Sequence, residues 1–153
     1  MPIVDTTVPI TSASCDRMIL DIVARYPFCR TELLTQTAFQ RPIRTLVIGN
    51  GPRKVIYSAA HHANEWITSY VLLKFAEELA EAIENGGEIF GISAAAIRDA
   101  ATIYMVPMVD PDGVDLVVGV LQPGDIQFDL AQRLARDIPP SRFPTAGKLI
   151  CWG

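Results

Sequence analysis

Apolar residues recur at helical spacing in two long segments of the chain. The first follows the segment Thr11-Ser12-Ala13-Ser14, which offers several N-cap candidates, and stops at Pro27, which cannot continue a helix. The second runs from Ser69 to Asn85 and ends at glycine, which takes the left-handed turn at low steric cost. For this second helix we predict an N-cap at Thr68 or Ser69. We predict a buried stripe of Val71, Leu72, Phe75, Leu79, Ala82 and Ile83, and a solvated face of Lys74, Glu77, Glu78, Glu81 and Glu84.

Short apolar runs bounded by turn residues predict strands. The predicted strands span residues 31–38, 43–48, 54–60 and 102–109. The first two favour an antiparallel hairpin, and the third is so continuously apolar that we expect burial on both of its faces. Shorter helical patterns cover 93–101 and 129–137. The composition of the Asp110–Gly113 segment predicts a turn. Residues 138–145 are predicted to form a loop, and 148–152 the start of a further element.

This alternation of strands and helices predicts an α/β fold with a three-layer α/β/α arrangement. We expect a mixed sheet that contains the early hairpin. The helix from Ser69 is expected to cross between the 54–60 and 102–109 strands, which would then be parallel neighbours. The length of 153 residues suits a single domain.

Composition excludes several classes of protein. Half of the residues are hydrophobic and a fifth are charged, which is typical of a globular chain, and the net charge of −4 argues against a nucleic-acid partner. No apolar run is long enough to cross a bilayer and the N-terminus has no signal-peptide pattern, so we expect a cytoplasmic protein. Cys15, Cys29 and Cys151 are widely spaced and odd in number, which predicts free or buried thiols and no disulfide framework.

The candidate chemistry lies between the third strand and the helix from Ser69. His62 and Glu65 form an H-x-x-E pattern there, and imidazole nitrogen and carboxylate oxygen both suit zinc. We predict both as zinc ligands. His61 is predicted to be a packed or solvent-facing neighbour, because adjacent residues on an extended backbone point to opposite faces. A bare H-x-x-E also occurs by chance, so an accidental match in an unrelated α/β domain is the competing hypothesis.

The flanks of this pattern resemble a known family. Glu65 is followed by Trp66, an aliphatic residue and Thr68, as in the zinc metallocarboxypeptidases (funnelins). The block from Val106 to Asp115 resembles that family's N-P-D-G segment, with Asp110 in place of Asn, and Arg41-Pro42-Ile43 falls where the family carries a G-R-P-I element. The two blocks are most similar to the bacterial branch that cuts murein peptides, the γ-D-glutamyl-diamino acid endopeptidases.

The resemblance implies zinc-dependent hydrolysis of peptide bonds, with residues 1–153 as the N-terminal part of the catalytic domain. In that family a third ligand histidine, an arginine that polarises the scissile carbonyl and a general-base glutamate lie further along the chain, so this sequence supplies none of them. We therefore expect weak or partial zinc occupancy and no activity from this chain alone. The alternative is a non-catalytic remnant that serves as a binding module. A sheet that would continue beyond these residues also predicts an exposed edge, and hence a homo-oligomer, most simply a dimer.

Overall fold

The computed structural model of the chain describes residues 2–136. The helices are α1 (Ser12–Arg25), α2 (Ile67–Asn85), α3 (Ala94–Ala100), α4 (Pro111–Val117) and α5 (Ile126–Arg136), and a 3₁₀ helix, Ala63–Glu65, precedes α2. We call this 3₁₀ helix the 63–65 turn. The strands are β1 (Arg30–Gln36), β2 (Pro42–Ile48), β3 (Arg53–Ser58), β4 (Glu88–Ile89), β5 (Ile92–Ser93) and β6 (Ala101–Val106). The predicted elements at 138–145 and 148–152 lie outside the described residues.

The main sheet is mixed and has the strand order β1-β2-β6-β3. The β1–β2 and β2–β6 pairs are antiparallel, whereas β3 and β6 are parallel. The α/β class, the early hairpin and the parallel pair are therefore confirmed. The predicted burial of the third strand on both faces is wrong for the described residues, because β3 pairs there with β6 alone and leaves Ile56 72% exposed.

The first helix is confirmed at both ends. Thr11 and Ser14 form a reciprocal capping box, in which each side chain satisfies a backbone amide of the other residue, and α1 ends at Arg25, before Pro27. The left-handed Gly86 ends α2 as predicted, with φ 67°. The predicted cap of α2 is wrong, since the helix begins at Ile67 and no side chain caps it.

The buried face of α2 is rotated from the predicted stripe. Val71 is 67% exposed, while Tyr70, Leu73 and Ala76 are buried. Glu77, predicted to be solvated, is buried because its carboxylate accepts hydrogen bonds from the backbone amides of the N-terminal segment and pairs with Lys74 at 2.7 Å. A buried carboxylate with this many donors is a structural residue, not a surface charge.

One hydrophobic cluster joins α1, α2 and α3 to a single face of the sheet. It includes Ile22, Leu73, Ala94, Leu46, Ile48, Ile103 and Met105. Alternate residues of the same strands, such as the paired Val47 and Tyr104, point to the other face. Cys15 and Cys29 are buried and free, and burial raises the pKa of each thiol to about 12, so both are packing residues. Cys151 lies outside the described residues.

The Asp110–Gly113 segment is helical and not the predicted turn. Asp110 is the N-cap of α4, its side chain accepts a hydrogen bond from the Gly113 amide at 3.0 Å, and Pro111 opens the helix. The shorter helices α3 and α5 match the predicted patterns within residues 2–136. In that part of the chain, no helix combines the length and apolar character needed to cross a bilayer.

Candidate metal centre

The chain bends sharply between β3 and the 63–65 turn. Ala60 has a left-handed φ of 47°, which is uncommon for a residue with a side chain. Its amide donates to the Thr68 hydroxyl at 2.9 Å and its carbonyl accepts from the Asp110 amide at 2.9 Å. These bonds hold the strained residue from two sides, as is common where a functional site needs a fixed backbone.

His62 and Glu65 are brought together by this bend. His62 precedes the 63–65 turn and Glu65 closes it, with the Glu65 amide donating to the His62 carbonyl at 2.9 Å. His62 Nδ1 and Glu65 Oε1 lie 3.3 Å apart, and about half of each side chain is exposed, 52% and 51%. Two ligands of tetrahedral zinc, each about 2.0–2.1 Å from the ion, are separated by about 3.3 Å. The pair therefore has the chemistry, spacing and access of two adjacent zinc ligands.

His61 has a different partner. Its Nε2 lies 2.8 Å from the Ser58 hydroxyl, at the end of β3, whereas His62 is directed to Glu65. The structure thus brings His62 and Glu65 together and leaves His61 outside this pair. That His61 is no ligand stays a prediction.

The residues after Glu65 support the turn. The Thr68 hydroxyl donates to the Glu65 carbonyl at 2.7 Å while it accepts from the Ala60 amide, so a single side chain joins the bend at Ala60 to the turn. Trp66 packs against the core and meets Tyr70 edge-on, with ring centroids 6.4 Å apart. Thr68 was predicted as a helix cap, and its actual role depends on a contact with Ala60 that local sequence does not reveal.

Helix α4 packs against the 63–65 turn. A Cβ placed on Gly113 would lie 2.1 Å from Asp110 Oδ2 and 2.9 Å from the Ala63 methyl, so glycine alone permits this approach. Ala63 is fully buried and lies between the two candidate ligands in sequence. The position of α4 therefore determines where the backbone of the turn lies.

Asp110 is a buried carboxyl group beneath the candidate ligands, and sequence analysis did not assign it to the site. It is 1% exposed, Oδ1 accepts from Gly113, and Oδ2 has no hydrogen-bond partner in the described residues. Burial raises the pKa of Asp110 to about 6; the Gly113 hydrogen bond and the charge of His62 lower it, while Asp112 raises it. The sequence did carry one signal, since Asp110 stands where the family's N-P-D-G segment has Asn. That difference does not reveal that the carboxyl group is buried.

Within residues 2–136, no three His, Cys, Asp or Glu side chains come together in a way that could hold a metal ion. His62 and Glu65 thus fit one side of a zinc shell, and the described residues do not complete it.

Comparisons with known proteins show the family of the chain. The sequence profile of the zinc carboxypeptidase family matches residues 16–124. A γ-D-glutamyl-L-diamino acid endopeptidase of Lysinibacillus sphaericus is 32% identical over 127 residues, which make up 83% of this chain and 28% of the relative. The chain therefore spans less than a third of the length of this curated relative.

Solved structures give the same result for the fold. The crystal structure of thrombin-activatable fibrinolysis inhibitor superposes with a TM-score of 0.65 at 17% identity, covering 77% of this chain and 30% of that one. A metallo-carboxypeptidase from Burkholderia cenocepacia has a TM-score of 0.53 at 25% identity, covering 63% of this chain and 26% of its own. The family match extends over most of the chain and includes the His62–Glu65 segment, so this chain belongs to the zinc carboxypeptidase family.

Proposed function

We propose that this chain carries part of the zinc centre of a peptidase, with His62 and Glu65 as two of the zinc ligands. The observation that carries the proposal is the 3.3 Å separation of His62 Nδ1 and Glu65 Oε1, on half-exposed side chains, in a member of the zinc carboxypeptidase family. Zinc supplies Lewis-acid chemistry for peptide-bond hydrolysis. The role of this chain's own residues is to hold an imidazole nitrogen and a carboxylate oxygen at ligand spacing.

We further propose that residues 1–153 are the N-terminal part of the catalytic domain. The chain covers only 28% of its endopeptidase relative and 30% of a structural neighbour, which leaves room for a third ligand, a carbonyl-polarising arginine and a general base elsewhere. A catalytic zinc takes three protein ligands and keeps one open position, so the pair alone does not complete a site.

The substrate class we favour is the murein peptide, cleaved at a γ-D-glutamyl-diamino acid bond. The support is the name of the Lysinibacillus sphaericus relative at 32% identity. Assay of a complete homologous domain on γ-D-glutamyl-diaminopimelate peptides is the test, and release of only ordinary C-terminal residues would rule out this substrate. A cytoplasmic location stays a prediction.

For the isolated chain we expect weak or absent zinc and no measurable peptidase activity, because catalytic groups that act together lose orders of magnitude in rate when one is missing. Competition with a chromophoric chelator measures the zinc. His62→Ala and Glu65→Ala should each abolish whatever binding the wild type has, while His61→Ala should leave it unchanged. Tight stoichiometric zinc with turnover in the isolated chain would show that another local residue completes the site.

We also propose that the chain self-associates through β3, which forms an edge of the sheet within residues 2–136. Ile56 and Tyr57 of β3 and the neighbouring Ile67 and Val71 of α2 are between 47% and 72% exposed. An unpaired edge strand beside apolar side chains favours association. Sedimentation velocity at micromolar concentration should detect a dimer, and a monomer throughout would contradict this proposal and leave the metal assignment intact.

A further inference from the structure

A second cluster of polar side chains lies on α4 and the segments that contact it. The proposed role of His62 and Glu65 as zinc ligands does not involve these side chains. Arg41, in the connection between β1 and β2, contacts two carboxylates of α4: Nη1 lies 3.2 Å from Asp112 Oδ1, and Nε lies 2.5 Å from Asp115 Oδ2. The Thr37 hydroxyl donates to Asp112 Oδ1 at 2.7 Å, and the Ser12 amide and hydroxyl donate to Asp115 at 2.7 and 2.6 Å. We call these five residues the Arg41 cluster.

The Arg41 cluster connects three separate parts of the fold. Ser12 opens α1, Thr37 and Arg41 belong to the β1–β2 connection, and Asp112 and Asp115 lie on α4. Its charged side chains are 14%, 18% and 3% exposed for Arg41, Asp112 and Asp115. Charges this deep in a protein are retained only when they are paired and hydrogen-bonded, and here the pairing fixes a helix relative to two other elements.

Helix α4 passes this constraint to the 63–65 turn. Gly113 lies between the two paired aspartates in the sequence of α4, and its backbone packs against Asp110 and Ala63 with no space for a methyl group. On the other side, the Val109 and Asp110 amides donate to the Ala59 and Ala60 carbonyls at 3.0 and 2.9 Å. A shift of α4 therefore has to move Ala63, and with it the neighbouring His62 and Glu65.

We propose that Arg41 is a positioning residue for the metal centre: by binding Asp112 and Asp115 it fixes α4 beneath the 63–65 turn and so sets the spacing of His62 and Glu65. The metal role of the pair rests on the proposed function, but the mechanical link does not. Arginine suits this task because its planar guanidinium presents Nε and Nη1 to two carboxylates at once, whereas the ammonium of lysine is a single point charge.

The chain offers a matched control for Arg41. Arg44 also contacts a single helix through its guanidinium, with Nε 2.5 Å from Asp16 of α1, and its side chain is 24% exposed. Substitution of either arginine by methionine removes a partly buried ion pair of the fold. Only the Arg41 pairs connect to α4.

The test is amide hydrogen exchange on the whole chain, with a chelator present so that no metal is bound. Exchange is compared for wild type, Arg41→Met, Arg41→Lys and Arg44→Met at two groups of amides. The site amides are those of Asp110, which donates to Ala60, and Glu65, which donates to His62. The reference amides are those of β6, the strand between β2 and β3.

In Arg41→Met we expect the site amides to exchange faster by on the order of tenfold, after correction for any change in β6, because the segment opens locally. In Arg41→Lys the site amides should exchange at a rate between those of wild type and Arg41→Met. If the methionine variant does not fold, the lysine variant replaces it in the comparison. In Arg44→Met the site amides should change no more than those of β6. Site amides that follow β6 in Arg41→Met, or an equal local effect in Arg44→Met, would overturn the proposal. If the site amides respond to Arg41→Met and not to Arg44→Met while His62 and Glu65 prove not to bind zinc, that result would count against the proposed function alone.

Discussion

Two polar regions meet at the ends of β3 and β6, and they differ in exposure. His62 and Glu65 have about half of each side chain in solvent and lie 3.3 Å apart, from Nδ1 to Oε1. The Arg41 cluster, a few residues away across α4, keeps Asp115 97% covered and supplies it with three donors. The ligand pair and the charged residues of the Arg41 cluster lie in the sequence blocks that resemble the zinc carboxypeptidases. The comparison indicates that one region presents the candidate ligands. The other holds α4 beneath them, and we call α4 with the Arg41 cluster the frame.

This division has an energetic consequence. Exposed pairs contribute little to folding, whereas a buried charge that loses its partner is costly. Substitutions in the frame should therefore lower stability, and substitutions of the ligand pair should leave the fold intact while removing metal.

The largest expected effect is that of Asp115→Ala. It leaves the Arg41 guanidinium without its shortest contact and removes both acceptors of Ser12 at the start of α1. We expect a loss of about 3–5 kcal/mol in the free energy of unfolding, measured by urea denaturation. Asp21→Ala is the control, since its pair with Arg17 is exposed and worth under about 1 kcal/mol. Equal losses in the two variants would break the contrast between buried and exposed pairs.

Asp110→Asn tests the buried carboxyl group beneath the turn. Its pKa is about 6 in the folded chain and near the ordinary 3.8 when unfolded, so the folded state binds more protons between those values. Stability contributed by the protonated group is therefore lost as pH rises from about 4 to about 6. Relative to wild type, the asparagine variant should gain up to about 3 kcal/mol on going from pH 4 to pH 7.

Comparing the two pH values cancels any constant cost of the new amide in the Asp110→Asn variant. Urea denaturation of both proteins at each pH measures the change. A difference between variant and wild type that stays the same at pH 4 and pH 7 would mean that Asp110 ionises as freely in the fold as in the unfolded chain.

Gly113→Ala should be the next largest effect. The added methyl would overlap Asp110 Oδ2 and press on Ala63, and overpacking of this kind costs about 1–3 kcal/mol. Gly87→Ala is the matched control, because its Cβ would meet Ala82 at an ordinary 3.5 Å. Thermal unfolding compares the two, and a Gly113 variant as stable as the Gly87 variant would show that α4 does not press on the turn.

His62→Ala and Glu65→Ala should have the smallest effect on stability. Both side chains are half exposed, so we expect changes within about 0.5 kcal/mol in metal-free buffer. Circular dichroism melts measure this directly. A loss of several kcal/mol in either variant would place the pair in the frame and remove the distinction between the two regions.

Local sequence predicted the features that depend on neighbouring residues in the chain. Four such features are an N-cap within residues 11–14, the end of α1 before Pro27, the Gly86 stop and the β1–β2 hairpin. They follow from local preferences that act over a few residues. The H-x-x-E spacing is also a local feature, because a single helical turn brings His62 and Glu65 together. That the two residues bind zinc stays a prediction.

Features that depend on distant partners were missed. Glu77 was predicted to be solvated, but the N-terminal segment donates to its carboxylate. Thr68 was predicted to cap a helix, but its hydroxyl binds the Ala60 amide. The Asp110–Gly113 block has turn composition, but the same residues cap and open a helix once α4 packs on Ala63. A strand's apolar run does not reveal whether a second neighbour exists, and so β3 was expected to be fully buried.

The most direct test of the zinc assignment is a zinc titration followed by the ring-nitrogen signals of the two histidines in the nuclear magnetic resonance spectrum. At zinc concentrations up to about millimolar, which detect even weak binding, the His62 ring and the Glu65 carboxyl should shift together. The His61 ring should keep its position beside Ser58. A response at His61 in place of His62 would contradict the assignment of His62 and Glu65 as zinc ligands.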